Sequence, residues 1–126
     1  MGKTYPERHQ HIMGLMGELG REIPGTMQGF SSLHRGALET GALNVKAKEL
    51  IALGIAIAVR CDGCIAFHVH DVLKAGATEE EIHEAIGVAI LMGGGPAVMY
   101  ATEAYEALQQ YKAEGIGSGS GNGNRG

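Results

Sequence analysis

The chain has 126 residues, enough for one compact domain and too few for separate catalytic and regulatory domains. It is 44% hydrophobic and 19% charged, a globular rather than disordered balance. A formal net charge of −4, 5% aromatic residues and no Trp argue against nucleic acid as a partner, since both the basic footprint and the base-stacking platforms are missing.

The first ten residues are polar and charged, so no secretory signal is expected, and Pro6 stands where a myristoylation motif needs Ser or Thr. Helical periodicity begins at once: a first helix is predicted over residues 5–23, with Ile12, Leu15, Met16, Leu19 and Ile23 on one inward face. Pro24-Gly25 breaks it. A second helix follows over residues 26–40, with Met27, Phe30, Leu33, Ala37 and Leu38 inward and Gly41 as its stop.

Asn44 is a good N-cap for a third helix, which carries Lys46, Lys48 and Glu49 before ten residues of Leu, Ile, Ala, Val and Gly. That apolar run, residues 50–59, is about half a membrane span and reads as a buried helix; the expected compartment is the cytoplasm, with no membrane partner. The fourth helix spans about residues 61–76. Thr78 and Glu81 form a capping box for a fifth, with Ile82, Ile86, Ala89 and Ile90 at helical spacing and residues 87–92 apolar all round. Pro96 can open a sixth, which is expected to bury Ala97, Ala101, Ala104, Tyr105 and Leu108. No stretch alternates as a strand. The fold class is therefore all-α, a single-domain bundle of about six helices over residues 1–114, followed by a flexible Gly/Ser/Asn-rich tail over residues 115–126. Two helix stretches apolar on every side are difficult to cover within so small a chain, so a homo-oligomer is expected.

Two cysteines cannot form the disulfide framework of a small secreted domain; set as Cys61-x-x-Cys64 they read as redox or metal chemistry. On a helix Cys64 and His68 are i and i+4 on one face, Cys61 falls in the same stripe, and Asp71 continues it. The thiolate is the nucleophile, and a free thiol with a pKa of about 8.5 needs help to ionise near neutrality. A helix N-terminus and an adjacent imidazole both supply that help, while the second cysteine can close a disulfide onto a sulfenic acid. A zinc site from Cys61, Cys64, His68 and His70 is disfavoured, because His70 falls on the other side of the helix; no metal centre and no bound cofactor are expected. His9, His11, His34 and His83 read as surface histidines. Glu49 reads either as a solvated charge at a helix mouth or as a functional group, and periodicity cannot place it beside His68.

The pattern Glu49-x11-Cys61-x-x-Cys64-x3-His68 resembles the signature of alkylhydroperoxidase D-like proteins, within the carboxymuconolactone decarboxylase superfamily. The resemblance extends from about Asn44 through Ala101. It implies an all-α alkylhydroperoxidase D-like fold that assembles as trimers or hexamers. It also implies reduction of a small hydroperoxide through a redox-active Cys61–Cys64 disulfide, with electrons from a lipoyl or thioredoxin-like dithiol donor. Carried over residue by residue, Cys64 becomes the attacking thiolate, Cys61 the resolving thiol, His68 the proton acceptor and Glu49 its partner. Some members place a histidine between the cysteines, where this chain has Asp62-Gly63, so general disulfide exchange stays open beside peroxide reduction. Two other readings compete: acid–base chemistry by Glu49 and His68 on a small lactone, and a non-catalytic redox-sensing assembly.

Overall fold

The computed structural model describes residues 3–117. Among them are six α-helices and no strand: α1 (Tyr5–Glu22), α2 (Pro24–Leu38), α3 (Val45–Ala58), α4 (Asp62–Lys74), α5 (Glu79–Gly93) and α6 (Gly95–Ala113). Of the expected tail, residues 115–117 close α6 and residues 118–126 lie outside the described residues.

Local chemistry sets the helix starts. The Thr4 hydroxyl accepts the Glu7 N–H at 3.2 Å while Glu7 returns a carboxylate oxygen to the Thr4 N–H at 2.9 Å. Thr78 and Glu81 repeat this box at the start of α5, and Asn44 Oδ1 accepts the Ala47 N–H at 2.8 Å at the start of α3. Pro24 and Pro96 occupy first-turn positions of α2 and α6, where the missing N–H costs nothing. α5 gives way to α6 through Gly94, whose φ of 72° is left-handed backbone that a side chain would strain.

α3 lies at the centre, packed on α4, α5 and α6; α1 lies across α4 and α6, and α2 leans on α1 and touches α3. Leu53, Ile57, Ile65, Val69, Val72, Ile82 and Leu108 are fully buried, each contributing about 1.5–3 kcal/mol of apolar transfer. Tyr111 is the largest buried side chain, and its hydroxyl donates to the carbonyl oxygens of Ala66 at 2.7 Å and Tyr5 at 3.2 Å, tying α6 to α4 and α1. The Tyr5 hydroxyl donates to Glu103 at 2.8 Å and pins the start of α1 to α6.

Burial departs from the sequence expectation in two places. On α1, Leu15, Met16, Leu19 and the following Ile23 are exposed, and α2 buries nothing; Phe30 and Leu33 face out. The α1–α2 hairpin meets the rest of the chain along one side only, so its apolar stripe is real but uncovered within one chain. On α6, Tyr105 is exposed and Tyr111 is buried, because the buried positions Ala97, Ala101, Ala104, Leu108 and Tyr111 alternate steps of four and three. Tyr105, one residue past Ala104, is turned about 100° off that line. α3 and α5 are half covered within one chain, as expected of helices apolar on every side in a chain this small: Ile51, Ile55, Val59, Val88, Leu91 and Met92 point outward.

Candidate active site

The junction between α3 and α4 begins with a backbone constraint. Arg60 has a φ of 62°, the left-handed region usually left to glycine. Its N–H bonds the Ile57 carbonyl at 3.1 Å and the next N–H, of Cys61, bonds the Ala56 carbonyl at 3.0 Å, the paired bonds of a Schellman turn. This reversal sets Cys61 at the N-cap of α4, where its Sγ accepts the Cys64 N–H at 3.1 Å. Cys61 and Cys64 are joined as a disulfide with a Cα–Cα separation of 5.1 Å. Both sulfurs thus sit at the positive end of a helix dipole, which favours a thiolate once the bond is reduced. Ile12 of α1 covers the motif: a Cβ on Gly63 would lie 3.5 Å from its Cδ1.

His68 stands one helical turn after Cys64 on α4. Its Nδ1 lies 2.7 Å from Oε1 of Glu49, which is only 3% exposed and is the buried charged residue of the core among the described residues. A carboxylate this deep requires a partner, and the imidazole is that partner. The hydrogen bond to Glu49 raises the His68 pKa; burial opposes the rise, and the charges of Glu49 and Asp71 add to it. With Nδ1 held by Glu49, Nε2 is the ring nitrogen left for proton exchange. Of the four residues singled out in the sequence, the structure joins Cys61 to Cys64 by a covalent bond and Glu49 to His68 across two helices, and Cys64 and His68 stand one turn apart on α4.

The remaining histidines divide. His70 faces away from this site, as helical geometry requires, and its Nδ1 lies 2.9 Å from Oδ1 of Asp71. His9, read from sequence as a surface residue, is instead packed: its ring stacks on His70 with centroids 4.3 Å apart and tilts against Phe67 at 4.4 Å. Burial lowers its pKa, the charge of His70 lowers it further and that of Asp71 opposes. A signal for this was present, since His9 stands four residues after Tyr5 and three before Ile12, at the head of the apolar stripe. As for metals, Cys61, Cys64, His68 and His70 do not converge as one ligand set. Among the described residues, two other groups bring three ligand atoms within 4.8 Å of one another: Glu49, His68 and Asp71, and His9, His70 and Asp71.

An all-helical fold with a Cys-x-x-Cys disulfide beside a buried carboxylate–imidazole pair is the setting in which the comparisons with known proteins fall. The model of the carboxymuconolactone decarboxylase family matches residues 24–107, two thirds of the chain. The chain belongs to that family. An uncharacterized protein of Haemophilus influenzae is 38% identical over 113 residues, covering 90% of this chain and 100% of that protein. An uncharacterized protein of Cupriavidus necator is 40% identical over 88 residues, 70% of this chain and 78% of the other. Among solved structures, an apo carboxymuconolactone decarboxylase family protein from Legionella pneumophila superposes with a TM-score of 0.82 at 44% identity, over 85% of this chain and 96% of that one. A Thermotoga maritima family member, for which a part in the antioxidative response has been suggested, gives 0.69 at 29% identity, over 79% and 92%. Among the described residues no helix is long and apolar enough to cross a membrane.

Proposed function

We propose that this protein is a dithiol-dependent peroxidase or disulfide oxidoreductase working through Cys61 and Cys64. The single observation that carries the reading is the buried Glu49–His68 hydrogen bond of 2.7 Å one turn from a Cys-x-x-Cys disulfide. A buried carboxylate makes an imidazole a stronger proton acceptor, and the nucleophile one helical turn away in this chain is a thiol, which must ionise to react. The suggested antioxidative role of the Thermotoga relative agrees with this.

In the reduced protein Cys64 passes its proton to His68, and the imidazolium, held by Glu49, stabilises the thiolate. The thiolate attacks the terminal oxygen of a small hydroperoxide; the O–O bond breaks, His68 returns a proton to the leaving alkoxide, and Cys64 becomes a sulfenic acid. Cys61 then displaces water from that sulfenic acid and closes the disulfide. A dithiol donor, lipoyl or thioredoxin-like, supplies two electrons by thiol–disulfide exchange and leaves as its own disulfide. The net change is hydroperoxide plus donor dithiol to alcohol, water and donor disulfide. The outward apolar side chains of α3 and α5 support a homo-oligomer, a trimer or hexamer, as the working form.

Peroxide consumption measured with several candidate dithiol donors tests the reading. Cys64→Ser is expected to abolish turnover, whereas Cys61→Ser reacts once and stops as a sulfenic acid or mixed disulfide. A fast single turnover retained by Cys64→Ser and lost in Cys61→Ser reverses the two roles; indifference to both substitutions refutes the redox reading.

A further inference from the structure

We propose that His9, His70 and Asp71 bind a divalent transition-metal ion, at a site separate from the cysteine pair. His9 comes from α1, which begins before the segment matched to the family, while His70 and Asp71 come from α4. Their ligand atoms lie within 4.8 Å of one another, and Asp71 Oδ1 is already 2.9 Å from His70 Nδ1. A cavity of about 360 Å³ opens beside the two imidazoles, with Tyr111 and Glu114 on its wall. It gives an ion a path of entry and room for the water ligands that three protein donors leave unfilled.

The donor set selects the class of ion. Two imidazole nitrogens and one carboxylate suit Zn²⁺, Co²⁺, Ni²⁺ or Cu²⁺, whereas Mg²⁺ and Ca²⁺ take oxygen donors throughout. Ligands about 2.0–2.1 Å from one tetrahedral ion lie roughly 3.4 Å apart, so the present group must contract. The two rings stack with 29° between their planes, and they must splay for both lone pairs to meet at one point. The adjoining cavity gives His9 the space to turn. Asp71 is shared with the group that includes Glu49 and His68, so the two groups compete for one carboxylate, and the test separates them.

The test uses the full chain with Cys61–Cys64 kept oxidised, so that no thiolate is available and the dithiol reading is neither helped nor harmed. Co²⁺ titration followed by optical absorption, with Zn²⁺ competition by calorimetry, should give one ion per chain. The spectrum should show nitrogen and oxygen ligation without a thiolate charge-transfer band, and Co²⁺ should broaden the ring resonances of His9 and His70. His9→Gln, His70→Gln and Asp71→Asn should each weaken binding at least about tenfold, and Glu49→Gln should leave it unchanged. The wild-type resonances decide the question even where a variant folds poorly. Failure of the wild type to bind stoichiometrically, or binding that survives His9→Gln, overturns the proposal. Loss of binding in Glu49→Gln with His9→Gln unaffected places the ion at Glu49, His68 and Asp71 instead and also overturns it.

Discussion

Glu49→Gln removes one negative charge from the core and almost no volume, so its effect isolates what the carboxylate does for His68. Glu49 is 3% exposed and meets Nδ1 at 2.7 Å. A hydrogen bond to a charged group contributes about 1.5–3 kcal/mol, a neutral one about 0.5–1.5, and the amide oxygen can keep the neutral bond. The substitution should therefore cost about 1–2 kcal/mol, well below the roughly 3–5 kcal/mol expected when one partner of a buried pair is removed outright. The pH dependence fixes the sign. The folded pKa of His68 is raised, chiefly by the Glu49 hydrogen bond. The stability it contributes is present in full below the ordinary histidine value of about 6.5 and is lost as pH rises through the raised folded value. In the variant the burial that lowers the pKa is opposed mainly by Asp71, so His68 titrates lower and this pH-dependent part shrinks. Urea unfolding of the oxidised protein between about pH 5.5 and 9 should show the largest gap between the two proteins at the acid end. The His68 ring resonance should titrate at lower pH in the variant. In the reduced protein the same substitution should slow thiol reaction most near pH 6–7, about where thiolate is then scarce. A stability gap constant across the range, with His68 titrating identically in both proteins, would refute the coupling.

Two further outcomes concern packing and assembly. Gly93→Ala places a Cβ 2.7 Å from that of Ala97, with Ala58 close behind, and should lower stability by about 1–2 kcal/mol in thermal unfolding despite the gain in helix propensity. Light scattering at micromolar concentration should find a homo-oligomer, and Leu91→Lys with Met92→Lys, at side chains 78% and 75% exposed in one chain, should dissociate it; a wild-type monomer rules the assembly out.

Helix boundaries were legible because they are local. Asn44, the Thr78–Glu81 box, Pro24 and Pro96 act within a turn of where they stand, and the observed α1, Tyr5–Glu22, falls within a residue of the stretch read from periodicity. Burial was less legible. An amphipathic stripe shows that a face needs cover, but not whether its own chain supplies it, and on α1 and α2 it does not. Tyr105 and Tyr111 illustrate the same limit at finer scale. Both fit a helical repeat near Leu108, and only the four-three alternation across the whole of α6 selects the second for the core.

The candidate site separates along the same line. Cys61, Cys64 and His68 lie within two turns of one helix, so their spacing already fixes which can meet. Glu49 is 19 residues from His68, and the contact depends on α3 reversing at Arg60 in a backbone conformation that nothing about arginine announces. Only resemblance to a family brought Glu49 to the histidine before the structure did. His9 had no such help. Its contact with His70 depends on how α1 lies across α4, which Tyr5 fixes through Glu103 and Tyr111 fixes through the Tyr5 carbonyl, both at the far end of the chain. A histidine at the head of an apolar stripe is thus better read as a half-buried group awaiting a partner than as a surface residue. What that partner is depends on the tertiary fold.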